Sequence, residues 1–461
     1  MPLNRLILVL LLLLLPLTAG AEEVTSSEVA PVEEAAPSEA ATDEAEASAP
    51  VPVYVPSPLV VTDWTGGVVE ARTGYVHPFI SITEYYTDNL FETDTDTEEE
   101  FFTVISPGVW VALPASKQPF LRLSTLNTAP GGLDASRLST VTNRRFQAYA
   151  LYRADIREHS SFSEENKVDQ RGEGLLRYKF RGGLSLQLDD IYELNQDPYS
   201  SGISQDRQLD EYMSNLAHLQ IEYPVGPRLT IRGDYSHYLL DYDADRNSFR
   251  ERDDDAFSAY LLYRMLPKTS LLLQYEHIDI DYDQDILADS TERHYYAGLQ
   301  WDMTAKSRGR FMLGYGEKDF AAEAGSDQDD LLGEIQLDHR FTPKTSVYLR
   351  ATRKTNESDI PNVENIMTHR TQLGYRQRLA AKLRASIDLF YLRDSYRGEI
   401  TIDGQTDERK DDYYGAGLAL GYTPLRWLNL TLGYRFTERA SNFSRFDYQS
   451  NTFYLTLAAA M

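Results

Sequence analysis

From about residue 72 onward the chain alternates apolar and polar side chains with a period of two. Near the C-terminus Leu428, Leu430, Leu432, Tyr434 and Phe436 share one face, and Asn429, Thr431, Gly433, Arg435 and Thr437 share the other. Leu229, Ile231, Gly233 and Tyr235 oppose Thr230, Arg232, Asp234 and Ser236 in the same way, and Ile335, Leu337, His339 and Phe341 oppose Glu334, Gln336, Asp338 and Arg340. Such alternation marks a strand with one greasy and one wet face. It predicts strands near 72–86, 99–113, 145–160, 169–181, 183–194, 209–223, 228–241, 254–266, 269–282, 291–303, 308–320, 329–342, 345–357, 366–378, 383–396, 408–422, 427–440 and 445–457. The count is 18, with sixteen as the runner-up. These runs are long: soluble strands peak near 5–6 residues, whereas a tilted membrane strand needs about 9–11 in the hydrocarbon alone.

The connections alternate too. Tight turns fall around Arg181-Gly182, Gly226-Pro227, Pro267-Lys268, Lys306-Ser307, Pro343-Lys344, Ala380-Ala381 and Pro424-Leu425. Between them lie longer polar loops at 195–208, 242–253, 283–290, 357–365 and 397–407. Short turns on one side and long loops on the other define an outer-membrane barrel, and an even strand count puts both ends in the periplasm. The expected fold is all-β: a transmembrane antiparallel up-and-down β-barrel over 72–461. Residues 114–144 read as a long periplasmic turn, with a further hairpin as the alternative.

The N-terminus lacks this pattern. Arg5, the apolar run Leu6 to Leu17 and Ala19-Gly20-Ala21 read as a secretory signal over 1–21. Residues 22–71 read as a disordered periplasmic tail. Its first part carries Glu22, Glu23, Glu28, Glu33, Glu34, Glu39, Asp43, Glu44 and Glu46 with no base through residue 50, and it holds too little apolar surface to offset its ordering entropy.

Composition sharpens the picture. A net charge of −26 argues against a nucleic-acid partner. Tyrosine is abundant, at 31 against 18 Phe and 4 Trp, and suits a membrane interface where the ring is apolar and the hydroxyl wet. With no cysteine there is no thiolate site and no lipidation anchor. The mean hydropathy of −0.44 would pass for soluble, because only alternate residues of a barrel strand face lipid.

Two stretches carry a family resemblance. The first is Tyr86-Thr87-Asp88-Asn89-Leu90-Phe91 with the acidic run after it, Phe101-Phe102 and Ser106-Pro107-Gly108. The second is Leu151-Tyr152-Arg153-Ala154-Asp155-Ile156-Arg157. They resemble the outer-membrane β-barrel porin family associated with exopolysaccharide and capsule biosynthesis clusters. The resemblance implies a conduit or accessory for polysaccharide export, with periplasmic export machinery as a further partner. The chain departs from that family in its long acidic tail, in 114–144, and in ending Phe453 to Met461 without a terminal aromatic.

Catalytic chemistry has little anchor. The eight histidines (77, 159, 218, 237, 277, 294, 339 and 369) form no HExxH pair, and no GxSxG elbow occurs. No cofactor or metal is expected; a barrel enzyme is the weakest reading. Asp241, Asp243 and Asp245 begin like a calcium loop, but Arg246 replaces the turn glycine and Arg252 the closing glutamate. The acidic outer loops are expected to be solvated, with a loose cation-bridged contact to lipopolysaccharide as the minor reading.

Charge on the wet face is the most informative feature. That face carries Arg153, Arg157, Arg232, Arg264, Arg340, Arg350, Arg376, Arg378, Arg384 and Arg435, and the acids Asp155, Asp234, Glu334, Asp338 and Asp388 among others. A basic residue facing lipid at the midplane costs about 2–4 kcal/mol, so these side chains are expected to line water. They serve either as cross-strand pairs bracing the wall or as the lining of a hydrated pore for a polysaccharide or other polar solute. Arg340, Arg350, Arg376 and Arg378 are expected to form one inner basic patch. The leading reading is a porin-like conduit in polysaccharide export; the alternative is a general diffusion porin or a structural barrel.

Overall fold

A computed structural model describes residues 74–116, 125–133, 145–201, 210–304, 306–321 and 327–460. The signal at 1–21 and the tail at 22–71 lie outside the described residues. Eighteen antiparallel strands close into one barrel, each paired with its chain neighbours. They are β1 (Gly74–Thr87), β2 (Glu100–Ser116), β3 (Phe146–His159), β4 (Lys167–Lys179), β5 (Ser185–Gln196) and β6 (Glu211–Val225), followed by β7 (Leu229–Tyr242), β8 (Arg252–Leu266), β9 (Thr269–Tyr282), β10 (Ser290–Thr304), β11 (Ser307–Phe320) and β12 (Gln328–Thr342). The last six are β13 (Thr345–Asn356), β14 (Asn365–Ala380), β15 (Leu383–Ile402), β16 (Gln405–Leu425), β17 (Leu428–Ser441) and β18 (Tyr448–Ala460). The all-β reading, the count of 18 and the up-and-down order hold.

Closure comes from β1 meeting β18, with Phe79 opposite Ala460 and Thr87 opposite Thr452. The Asp88-Asn89 pair seals the outer end of that seam. Asp88 accepts from the backbone and side-chain amides of Asn451, both at 2.7 Å, and Asn89 Nδ2 donates to the Gln449 carbonyl at 3.0 Å. Closing the sheet removes the last open edge, which cannot exist in lipid.

The two faces differ as the alternation predicts. Outward positions are exposed and apolar, among them Leu219, Ile231, Phe257, Leu273, Leu313, Leu418 and Leu432. Inward positions on the same strands are largely buried and mix polar groups, such as Arg232, Asp234, Gln274 and Arg310, with apolar ones, such as Leu216, Leu240, Leu272, Ile280 and Met312. Exposed and half-buried tyrosines mark the outer border of the apolar band. The hydroxyl of Tyr235 donates to Asp255 at 2.7 Å, that of Tyr86 to Glu99 at 2.9 Å, and that of Tyr152 donates to Gln170 at 2.8 Å. The ring stays in apolar surroundings while the oxygen reaches the wet rim.

Two expectations need correction. Residues 397–407 are not a loop: β15 and β16 run on to a two-residue turn at Asp403-Gly404. Both turn residues have positive φ, 53° and 83°, the geometry a tight hairpin requires. Residues 114–144 are not simply a periplasmic turn. Their first residues extend β2, and 125–133 lie inside the barrel.

Candidate functional site

The interior site is built around the connection from β2 to β3. Both strands meet it at the short-turn end. Yet Thr125 and Leu133 pair in a small hairpin whose partners all lie near the opposite, outer ends of β5, β7, β8 and β13. Within it the Leu126 N–H donates to the Gly132 carbonyl at 3.1 Å and the Ala129 N–H to the Leu126 carbonyl at 3.0 Å. Residues 125–133 of the connection therefore sit in the interior near the outer end.

Wall residues hold the hairpin by its backbone. The Gly131 N–H donates to Asp254 Oδ2 at 2.9 Å. Arg252 donates to the carbonyls of Asn127 at 2.8 Å and Ala129 at 3.2 Å, and its Nε binds Asp254 at 3.0 Å. Asn127 donates to Asp197 at 2.6 Å and to the Tyr242 hydroxyl at 3.1 Å. The Glu357 N–H donates to the Thr128 carbonyl at 2.6 Å, and Thr125 donates to Glu193. Gly132, at φ 70°, lies flat against the Tyr238 ring, and a Cβ there would fall 2.1 Å from it. Hydrogen bonds to ionised partners are roughly twice as strong as neutral ones.

All thirteen residues expected to line a pore fall on the inward face of their strands. Of the four arginines expected to form one inner patch, Arg350 is instead drawn into a pair with Asp338. Arg232 binds Asp234 at 2.6 Å, and Arg153 binds Asp155 at 3.0 Å. Arg350 is buried; its Nη2 donates to both carboxylate oxygens of Asp338 at 2.8 and 2.9 Å, and its Nη1 donates to the carbonyls of Leu337 and Leu349. Arg340 and Arg376 share one row through Ser346, and Arg378 faces Arg384 across β14 and β15. Arg264, Arg378 and Arg384 are exposed at the short-turn mouth. Asp388 accepts from the Tyr348 hydroxyl, above whose ring Arg376 sits at 5.4 Å. Glu334 is buried and accepts from Gln336 at 2.8 Å. Arg435 lies inward on β17, half-buried.

The cross-strand pairing expected occurs at Arg350–Asp338 and Arg157–Asp169, and a second rule stands beside it. Arg153/Asp155, Arg232/Asp234, Arg252/Asp254 and Arg409/Asp411 are all two residues apart on one strand. A period of two puts both members of such a pair on the same face. The signal Arg-x-Asp was present in the sequence. At Arg252 it straddles the boundary between the loop expected at 242–253 and the strand from 254, whereas Arg409 and Asp411 both fall within the strand expected at 408–422. The hairpin itself carries no strand or helix period, so Asn127, Asp197, Asp254 and Glu357 were missed.

Outer loops pack inward as well. Ile360 and Val363 join Ile366, Tyr396, Ile400, Ile402, Phe443 and Phe446 in one buried cluster. Leu90 and Phe91 join Tyr85, Phe102 and Tyr199 in another. Between β1 and β2, Glu92 is buried and accepts from the Ser200 hydroxyl. Burial pushes its carboxyl up to about 7, against the opposing pull of Ser200 and the Arg439 charge.

The family model described as "Putative beta-barrel porin 2" matches residues 139–461, so the 86–108 stretch lies outside it. No curated protein matches the chain. Similar solved structures include the outer membrane protein OpdK of Pseudomonas aeruginosa, at 13% identity over 84% of this chain and 100% of that one, with a TM-score of 0.42. OccK10 (OpdN) of the same organism gives 14%, 85% and 99%, with a TM-score of 0.43. OccAB3 of Acinetobacter baumannii gives 12%, 84% and 99%, with a TM-score of 0.40.

Proposed function

The chain belongs to the "Putative beta-barrel porin 2" family, and from that premise we propose that it is a diffusion channel for small polar solutes, narrowed from within. The observation that carries this reading is the hairpin 125–133, seated against the outer third of the wall by Asp254, Arg252, Asn127 and Glu357. A wide conduit for a hydrated polymer needs a clear bore, whereas a channel that sorts small solutes needs a constriction with charged and hydroxylic walls. The interior supplies such walls in Arg232, Asp234, Tyr260, Tyr296, Glu334 and Arg350. The polysaccharide reading rests on the resemblance alone, since the family match carries no link to export.

Passage needs no covalent step. A solute exchanges its water for hydrogen bonds to wall groups whose partners are fixed, then leaves by the same exchange. Liposome swelling with solutes of graded size tests this. Amino acids and monosaccharides should enter proteoliposomes, and oligosaccharides beyond about four units should be excluded. Equal entry of long oligosaccharides would favour the conduit.

A further inference from the structure

Beneath the hairpin tip the wall recedes into a chamber of about 100 Å³. A single water needs about 10–15 Å³ of such space, so the chamber has room for several water-sized groups. We propose that this chamber is a binding site for a neutral polyhydroxylated solute. The proposal rests on the diffusion-channel reading and names the solute class.

Its charges are answered from within the wall. Asp234 is bound by Arg232 at 2.6 Å. Glu276 is bound by His294 at 3.1 Å, and the other ring nitrogen of His294 lies 2.8 Å from Glu292. Glu334 accepts from Gln336 at 2.8 Å, and Arg310 stands opposite Gln336 on β11. Arg353 lies 3.5 Å from Asp330, and Lys354 is engaged within the protein. An ionic solute would have to break such pairs, at the cost of leaving a buried charge uncompensated. A neutral solute need not.

Hydrogen-bonding capacity remains for hydroxyl groups. Gln274 lines the chamber, is 6% exposed, and its Oε1 has no partner. Thr352 Oγ1, on the opposite side, is likewise buried without a partner. A buried polar atom left unmatched costs about 1–3 kcal/mol, which a solute hydroxyl would relieve at both positions. Carboxylate oxygens of Glu276 and Asp234 add acceptors, since each has lone pairs beyond those its partner uses. Tyr260 and Tyr296 also line the chamber and add aromatic surface beside the C–H side of a sugar.

Saturation-transfer NMR on the full-length barrel in detergent micelles tests the site with three probes of one size: glucose, gluconate and glucosamine. Glucose should receive the strongest transfer. Gln274→Leu and, separately, the near-isosteric Thr352→Val should each cut it at least fivefold, with heat-modifiable mobility retained to show the barrel folded. Equal or stronger transfer to gluconate or glucosamine would overturn the neutral-solute assignment. No transfer to glucose, or transfer that neither variant changes, would overturn the site. Bilayer conductance of the same preparation separates the two readings: a barrel that conducts but ignores glucose loses the site and keeps the channel.

Discussion

The Gly131 N–H and the Asp254 carboxylate meet at 2.9 Å inside the barrel, joining the β2–β3 connection to the outer end of β8. Arg252, two residues before Asp254, grips both the carboxylate and the hairpin backbone. One side chain thus orients another, and both hold a segment with no ladder of its own to the wall.

Loss of that latch should free the hairpin. A hydrogen bond to an ionised group is worth about 1.5–3 kcal/mol, or roughly ten- to hundredfold in an opening equilibrium. The chain has no cysteine, so Thr128→Cys gives a single reporter. Its reaction with a small thiol reagent should quicken by that factor in an Asp254→Ala background. An unchanged rate would mean that the other contacts suffice.

The arginines divide into two groups with different consequences. Replacing the mouth residues Arg340, Arg376, Arg378 and Arg384 with Gln should shift bilayer selectivity toward cations while the barrel stays folded. Arg350→Gln should instead destabilise, because it removes the ionic partner of Asp338; with the Asp338 side chain 35% exposed, the loss should fall below the about 3–5 kcal/mol of a fully buried pair. The melting temperature and the reversal potential, read on both variants, separate bracing from conduction.

Glu92 should make the β1–β2 loop respond to pH. Its folded carboxyl titrates near 7, above the ordinary 4.5. Between those values the folded form holds the extra proton, so stability falls as pH rises through the window. Above pH 7 the buried charge opposes docking of the loop on Ser200, Arg439 and Tyr448. Thiol labelling of Thr93→Cys should therefore rise from pH 5 to pH 8, and Glu92→Gln should flatten that rise. Equal slopes in both proteins would remove Glu92 as the cause.

Topology gives a direct check of orientation. Tags at 245 or 286 should be reached on intact cells, and tags at 226 or 344 should not, because only the long connections reach the outside. The reverse pattern would invert the barrel.

The strands were legible because one face meets lipid and the other water for a dozen residues at a time, which leaves a period of two at Leu428–Thr437 and its counterparts. The turn at Asp403-Gly404 was not legible, because the acidic and polar residues around it read as one loop over 397–407. The hairpin was not legible. Thr125 to Leu133 owes its place to Arg252, Asp254, Asp197 and Glu357, which lie far off in sequence, and nothing local points to them. The inward charges could be assigned to a face by alternation, but their partners depend on side-chain direction. Arg350 could equally have stood in open water.

The central claim is that the hairpin sets the bore. Single-channel conductance in planar bilayers, compared between the whole protein and a variant with 125–133 replaced by a short Gly/Ser link, tests it most directly. The account predicts a small, discrete conductance that rises several-fold in the variant. Equal conductance in the two proteins would contradict it.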